Sequence, residues 1–95
     1  MTDLDKEDQG GNGVADLPNL GHASAEMLRT AGIVTIGELR DLGPVVAYLA
    51  VRQAGHHPSL NLLWAIAAGL DGRHWTDLSK AEKDVMLAEL QDLTR

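Results

Sequence analysis

The stretch LPNLGHASAEMLRTAGIVTIGELRDL at residues 17–42 decides the fold of this chain. It predicts a turn, a helix over residues 22–31, a second turn and a second helix over residues 36–42. Thr35 precedes the second helix and Glu38 follows three residues later, which is the spacing of a capping box. The first turn leaves backbone N–H groups unpaired at the start of the first helix, where an anion could bind.

Three further helices follow from the pattern of the remaining sequence. Residues 44–54 begin with a proline, which suits the first turn of a helix. Residues 59–70 are apolar nearly all round, so we expect this fourth helix to be the buried centre of the domain. A fifth helix follows Ser79, with Glu82 at the capping-box offset. The sequence therefore predicts an all-α, compact five-helix domain without strands.

Composition and charge limit the classes of function. The chain has no cysteine, which excludes disulfides and thiolate metal sites and fits a cytoplasmic location. Its net charge is −6 at pH 7, whereas a nucleic-acid binder usually offers a basic surface. No stretch is long and apolar enough to span a bilayer, so we expect no membrane association.

The acidic charge is concentrated at the amino terminus. The first sixteen residues hold five acidic side chains and one lysine, while the remaining residues hold nine acidic and seven basic side chains. Residues 1–15 are also rich in glycine and poor in large apolar side chains, which is typical of a flexible segment. We predict a flexible acidic leader over residues 1–15 and a folded domain over residues 16–95.

Several motifs in residues 17–89 occur in the same order in one known family. As they stand here they are LPNLG, AGI-T-GELR-LG, AYL, AG-PSLNLLWAIAAGL and GRHWTDLS. On these motifs the chain resembles the C-terminal domain of the TfoX/Sxy competence regulators. The resemblance implies an all-α domain related to the helix-hairpin-helix and SAM-like folds. It also implies a role in regulating bacterial DNA uptake, acting with the transcription machinery.

Residues 17–42 alone are also similar to the C-terminal domain of the bacterial RNA polymerase α subunit and to helix-hairpin-helix DNA-repair modules. Those hairpins carry a glycine-hydrophobic-glycine motif, where this chain has Asn19, Leu20 and Gly21. Asparagine tolerates left-handed backbone, so the turn can survive the change. The basic residue that often follows such hairpins is His22 here, which is mostly neutral at pH 7. Both departures lower the expected affinity for phosphate.

Two hypotheses follow for this hairpin. As a phosphate clamp, it would use six residues: Asn19, Gly21, His22, Ala23, Ser24 and Arg29. As a structural turn, it would pack Leu20 into the core and bind nothing. The net negative charge favours the structural turn, and any DNA binding would be weak and independent of sequence.

Catalytic and metal chemistry find almost no support in the sequence. The three serines are placed to cap helices rather than to act as nucleophiles: Ser24, Ser59 and Ser79. The histidines lack the spacing of metal ligands and fit surface or capping roles: His22, His56, His57 and His74. We therefore expect a non-enzymatic chain without a metal or another cofactor.

Contact with a protein partner is the favoured mode of action. The candidate partner-facing residues are Arg40, Arg52, Arg73 and Trp75, although single arginines on helices are usually solvated and a lone tryptophan often covers a core edge. We expect a regulatory or adaptor module, with the transcription machinery among its candidate partners. The alternatives are weak DNA binding through residues 17–29 and self-association.

Overall fold

The computed structural model describes residues 13–95 of the chain. These residues form five α-helices: α1 (His22–Thr30), α2 (Ile36–Leu42), α3 (Pro44–Gln53), α4 (Leu60–Leu70) and α5 (Lys80–Thr94). Two short 3₁₀ turns cover Val14–Asp16 and Trp75–Asp77. Within this part of the chain, extended pairing is limited to one isolated bridge between Gly13 and Thr35. The prediction of an all-α five-helix domain is confirmed.

Most of the predicted helix-end signals act as expected. The Thr35 hydroxyl accepts a hydrogen bond from the Glu38 N–H at 3.1 Å, and the Glu38 carboxylate accepts one from the Thr35 N–H at 3.0 Å. Ser79 and Glu82 form the same reciprocal box at the start of α5. Ser59 is the exception, because it lies at the N-cap of α4 but its side chain accepts no capping hydrogen bond. The helix is therefore stabilised by burial of its apolar residues from Leu62 onward rather than by a side-chain cap.

The core is centred on α4, as its apolar sequence predicts. Seven of its eleven residues are buried, and Leu63 and Ile66 are fully buried. Around them pack Leu28 of α1, Leu39 of α2 and Val51 of α3, each with 0% of its surface exposed. Burying one such side chain contributes about 1.5–3 kcal/mol, so this aliphatic cluster is the main stabilising element.

The first turn of the decisive stretch lies directly on α4 at Gly69. A Cβ atom at this position would lie 2.5 Å from the Pro18 carbonyl oxygen and 3.0 Å from the Leu17 side chain. A contact of 2.5 Å is too short for any carbon, so only glycine allows this approach. The close approach fixes the position of residues 17–42 on the core helix.

The packed domain begins before the predicted boundary at residue 16. The Val14 N–H donates to the Val34 carbonyl oxygen at 3.0 Å, and the Val14 side chain is 0% exposed. Val14, which the sequence placed in the leader, thus packs with the folded residues, because its apolar side chain gains free energy on burial. The leader prediction for residues 1–12 falls outside the described residues.

The longest helix, α5, packs less deeply than the others. None of its fifteen residues is buried, and Met86, Leu87 and Leu90 only partly cover the core. Two of its apolar side chains are largely exposed, Val85 at 69% and Leu93 at 52%. No helix in residues 13–95, α5 included, combines the length and the apolar character needed to cross a membrane.

Candidate interaction surfaces

Asn19 holds the first turn to a distant loop. Its φ of 74° is left-handed, and it is the one non-glycine residue with positive φ in the described chain. Its side-chain Nδ2 donates to the Arg73 carbonyl oxygen at 2.7 Å, and its Oδ1 accepts from the Trp75 N–H at 3.2 Å. The sequence pattern showed Asn19 only as a replacement for glycine and did not reveal this bridge. The available signal was that asparagine offers a donor and an acceptor that glycine lacks.

The start of α1 lies beside this turn and faces solvent. Gly21 is the N-cap residue, and no described side chain accepts a hydrogen bond from the first turn of α1. His22 and Ala23 are exposed, and Ser24 is half-buried. Their backbone N–H groups lie at the positive end of the α1 dipole, where an anion is favoured.

Arg29, the last member of the predicted phosphate contact set, lies away from this site. It occupies the last turn of the nine-residue α1, about 10 Å along the helix axis from His22 at about 1.5 Å per residue. Its guanidinium pairs with the Glu26 carboxylate, and this hydrogen bond lowers the pKa of Glu26 below its ordinary value. The structure therefore gathers the other five predicted residues around the start of α1 and leaves Arg29 at the far end.

Two of the predicted partner-facing arginines are used within the domain and lie apart. Arg40 Nη1 donates to the Leu70 carbonyl oxygen at 3.3 Å and so caps the end of α4. Arg52 lies in the last turn of α3, with its guanidinium carbon 6.0 Å from the ring centre of Tyr48. These contacts do not bring the two arginines into one basic patch.

Arg73 ties the loop after α4 to the start of α5. Its guanidinium forms ion pairs with the carboxylates of Asp71 and Glu82. The Arg73 hydrogen bond, together with one from the Ser79 N–H, lowers the pKa of Glu82 from 4.5 to about 2. The same contact with Glu82 raises the pKa of Arg73. The Arg73 charge is therefore neutralised inside the domain.

Trp75, the fourth predicted partner-facing residue, lines a cleft between the starts of α1 and α4. Trp75 is 37% exposed, and the cleft has a volume of about 320 Å³. Its other walls are Asn19, Ser24, Met27, Pro58, Ser59, Asn61, Leu62 and Ala65. None of these side chains is charged, so the cleft presents neutral polar and apolar groups to solvent.

A broader groove, which we call the α4–α5 groove, has mainly apolar walls. Its volume is about 410 Å³, and the apolar walls are Pro44, Ala67, Leu70, Leu78, Val85 and Met86. The charged groups at its edge are Asp71, Arg73 and Glu82, which pair with one another. No sequence pattern indicated this surface, because its walls come from three helices and two connecting segments.

A smaller groove, which we call the α2 groove, lies along α2. Its volume is about 290 Å³, and it is lined by Gly32, Ile33, Glu38, Asp41 and Leu42. Leu42 is 41% exposed. This groove therefore combines apolar walls with two carboxylates.

The four histidines are not brought together as a metal site. His56 Nε2 lies 2.7 Å from the Thr30 hydroxyl, and His74 Nδ1 accepts from the Thr76 N–H at 3.3 Å. The capping role predicted for the histidines is thus observed at His74, which starts the second 3₁₀ turn. Across residues 13–95, no three side chains of His, Cys, Asp or Glu are grouped as ligands for a metal ion.

Comparisons with known sequences connect nearly the whole chain to one family. A family model described as the TfoX C-terminal domain matches residues 11–90. The DNA transformation protein TfoX of Haemophilus influenzae is 30% identical over 84 residues, which cover 88% of this chain and 39% of that protein. The DNA transformation protein TfoX1 of Aliivibrio fischeri is 29% identical over 76 residues, which cover 79% of this chain and 36% of that protein. The chain thus spans less than two-fifths of the length of these curated relatives.

Two crystal structures from Listeria monocytogenes share the fold. An uncharacterized protein in a triclinic crystal form matches with a TM-score of 0.76 and 29% identity, covering 86% of this chain and 93% of that chain. A protein of unknown function in a tetragonal form matches with a TM-score of 0.75 and 30% identity, covering 84% of this chain and 99% of that chain. The arrangement of helices described above therefore occurs in experimentally determined structures.

Proposed function

Since this chain belongs to the TfoX C-terminal domain family, we propose that it is a non-enzymatic regulatory module that acts through protein–protein contact in the control of DNA transformation. The resemblance of residues 17–89 to this family is confirmed by the family match and by the relatives. Two of those relatives are DNA transformation proteins by name, and the chain corresponds to only part of each. A domain that forms one part of a longer regulator suits the role of an adaptor.

The observation that carries this proposal is the α4–α5 groove. Its walls are mainly apolar, and Val85 at its edge is 69% exposed. Removing apolar surface from water contributes about 25 cal/mol per Å². A partner that fills this groove therefore gains binding free energy by burying the apolar walls that the isolated domain leaves exposed to water. The ion pair of Arg73 with Glu82 fixes one edge of the groove, so its shape exists before a partner binds.

The described polar contacts support the non-enzymatic part of the proposal. Two hydroxyl groups contact imidazoles, in the pairs Thr30–His56 and Thr76–His74. Both pairs lie on exposed surface, and no described carboxylate hydrogen-bonds to either imidazole. Both pairs therefore lack the third group that orients the base in a nucleophile–base–acid triad.

Affinity capture from nuclease-treated lysate of the source cells tests the proposal. Wild type and two variants on α5 are compared: Val85→Glu, which places a charge in the α4–α5 groove, and Gln91→Glu, which adds the same charge outside it. Wild type and Gln91→Glu should capture the same partner protein in equal amounts. Val85→Glu should capture at least about tenfold less of it, because burial of an unpaired carboxylate costs several kcal/mol. Capture from untreated lysate that is lost on nuclease treatment, or capture that survives Val85→Glu unchanged, contradicts the proposal.

Weak DNA binding by the hairpin is a second candidate function. The specific observation in its favour is that the first turn of α1 has neither a side-chain cap nor an acidic residue. Ala23→Glu tests it, because a carboxylate in this turn stabilises the helix through the dipole but repels phosphate. If the hairpin binds DNA, a titration with duplex DNA at low ionic strength should show binding to wild type. The affinity of Ala23→Glu for the same duplex should be several-fold lower. Absence of binding by wild type at low ionic strength rules this candidate out.

A further inference from the structure

Exposed apolar side chains and an acidic rim occur together at the α2 groove. Leu42 in the groove lining is 41% exposed, and Val34, which follows the lining residue Ile33 in the sequence, is 48% exposed. The two charged residues in the lining, Glu38 and Asp41, are both acidic. An occupant of this groove must therefore offer apolar contact and positive charge at the same time.

Asp41 is in an unfavourable place for the stability of its own helix. It lies in the last turn of α2, which ends at Leu42, where the partial negative charge of the helix end favours cations over carboxylates. It forms no hydrogen bond or ion pair within residues 13–95 that would offset this cost. Among the described residues its exposed carboxylate has no role in the fold, so a partner can contact it.

Glu38 adds a second carboxylate whose position is fixed. Its Oε1 accepts hydrogen bonds from the Val34 N–H at 2.9 Å and the Thr35 N–H at 3.0 Å. These two backbone hydrogen bonds lower the pKa of Glu38, so it is charged at neutral pH. Arg40, the basic residue of α2, reaches instead to the Leu70 carbonyl oxygen at the end of α4. The negative charge of Glu38 and Asp41 is thus left without a basic neighbour on α2.

The chain enters the domain beside the same groove. Gly13 pairs with Thr35, and the Val14 N–H donates to the Val34 carbonyl oxygen. The twelve residues before this point contain four acidic side chains and one lysine. The sequence before Gly13 therefore carries a net side-chain charge of −3, from four acidic residues and one lysine.

We infer that the α2 groove is a docking surface for a basic segment of a partner protein that carries an apolar anchor. An apolar side chain would pack against Ile33 and Leu42, while flanking lysines or arginines would lie against Glu38 and Asp41. The inference rests on the proposed protein-contact function and names the chemistry of the partner. Nucleic acid does not fit this acidic surface, and a second copy of a chain with a net charge of −6 is repelled from it.

Binding of a synthetic peptide tests the inference. The probe alternates leucine with lysine and has blocked ends; a control peptide has glutamate in place of lysine. In ¹H–¹⁵N spectra of the full chain, the lysine probe should shift the amides of residues 32–34 and 38–42. Asp41→Lys should weaken binding at least about fivefold, whereas Glu89→Lys, an equal charge change on the exposed side of α5, changes it less than about twofold.

The variants are chosen so that unfolding cannot explain a loss of binding. Lysine near the end of α2 interacts favourably with the helix dipole, so Asp41→Lys should be at least as stable as wild type. A third variant, Leu42→Ser, removes the apolar contact with the anchor at a site that is 41% exposed. It should also lower the affinity for the lysine probe several-fold.

Three results overturn the inference. The first is that Asp41→Lys and Glu89→Lys weaken binding of the lysine probe equally. The second is that the amide shifts are centred outside the α2 groove. The third is that the glutamate peptide binds as tightly as the lysine probe. None of these three results contradicts the proposed function if capture of a partner protein still depends on Val85. Conversely, site-specific binding of the lysine probe without any captured protein supports the groove and contradicts the adaptor function.

Discussion

At the scale of the single residue, Asn19 meets two demands at once. The turn requires left-handed backbone, and the Arg73–Trp75 segment requires a donor and an acceptor. Glycine would meet the first demand only, and alanine would meet neither. The departure of this chain from the glycine-hydrophobic-glycine motif therefore has a structural reason.

Asn19→Gly and Asn19→Ala separate the two roles of Asn19. Asn19→Gly keeps the backbone conformation but removes both side-chain hydrogen bonds, and should lower the free energy of unfolding by about 1 kcal/mol. Asn19→Ala removes the same hydrogen bonds and also puts a residue that disfavours left-handed backbone at this position, so it should lower the free energy of unfolding by about 2 kcal/mol. Urea unfolding followed by tryptophan fluorescence measures both values. Equal stability of the two variants would show that the backbone conformation carries no cost.

Gly69 and Gly37 are both helical glycines, and alanine should affect them in opposite directions. At Gly69 a Cβ would lie 2.5 Å from the Pro18 carbonyl oxygen, and this overlap should cost about 1–3 kcal/mol. At Gly37 in α2 the nearest atom, Thr35 Oγ1, is 3.9 Å away, so alanine should stabilise by up to about 1 kcal/mol through helix propensity. Thermal unfolding by circular dichroism checks the pair. Stabilisation by Gly69→Ala would contradict the close contact of the first turn with α4.

At the scale of the element, polar contacts position the first turns of α5, while Met86, Leu87 and Leu90 pack against the core. The Ser79–Glu82 capping box starts it, Arg73 pairs with Glu82, and the Lys83 ammonium lies 5.5 Å from the ring centre of Trp64. None of its residues is buried. The position of α5, and with it the shape of the α4–α5 groove, therefore depends strongly on Glu82.

The role of Glu82 predicts how stability changes with pH. Its pKa in the folded chain is about 2, below the ordinary value of 4.5. A carboxylate with a lowered pKa stabilises the fold fully above 4.5, and this contribution is lost as the pH falls through about 2. Glu82→Gln should therefore have a lower Tm than wild type at pH 7, and the difference should shrink as wild-type Glu82 becomes protonated.

Melting curves of wild type, Glu82→Gln and Glu89→Gln between pH 7 and pH 2 test this prediction. Glu89→Gln is the control, because it removes a carboxylate from an exposed position of the same helix. Its Tm should follow that of wild type across the range. A Tm difference between wild type and Glu82→Gln that stays constant down to pH 2 would contradict the ion-pair tether.

At the scale of the whole molecule, charge opposes contact between copies. The net charge is −6 at pH 7 and the isoelectric point is about 4.9, while several apolar side chains remain exposed on the grooves. We expect a monomer at pH 7 and a rising average mass as the pH approaches 4.9, because repulsion vanishes while apolar contact remains. Size-exclusion chromatography with light scattering measures this. A stable dimer at pH 7 would instead favour self-association through a groove.

The sequence predicted the helices well because their signals are local. Capping boxes, glycine stops and apolar periodicity act within about one or two turns, so they can be read without the fold. The buried role of α4 followed from an apolar pattern that leaves no polar face. The candidate sites were harder, because Arg40 and Arg73 are each occupied by a partner outside their own helix or turn that only the fold brings near.

The sequence by itself determined the helix order, the central helix and the family. The tertiary structure alone decided where the domain begins, which residues share a groove and what Asn19 does. Its hydrogen bond to Arg73 joins residues 54 positions apart, and no local pattern encodes such a pair. Helix packing decides which exposed side chains become neighbours, so the α4–α5 groove and the α2 groove could be found only after the helices had been placed together.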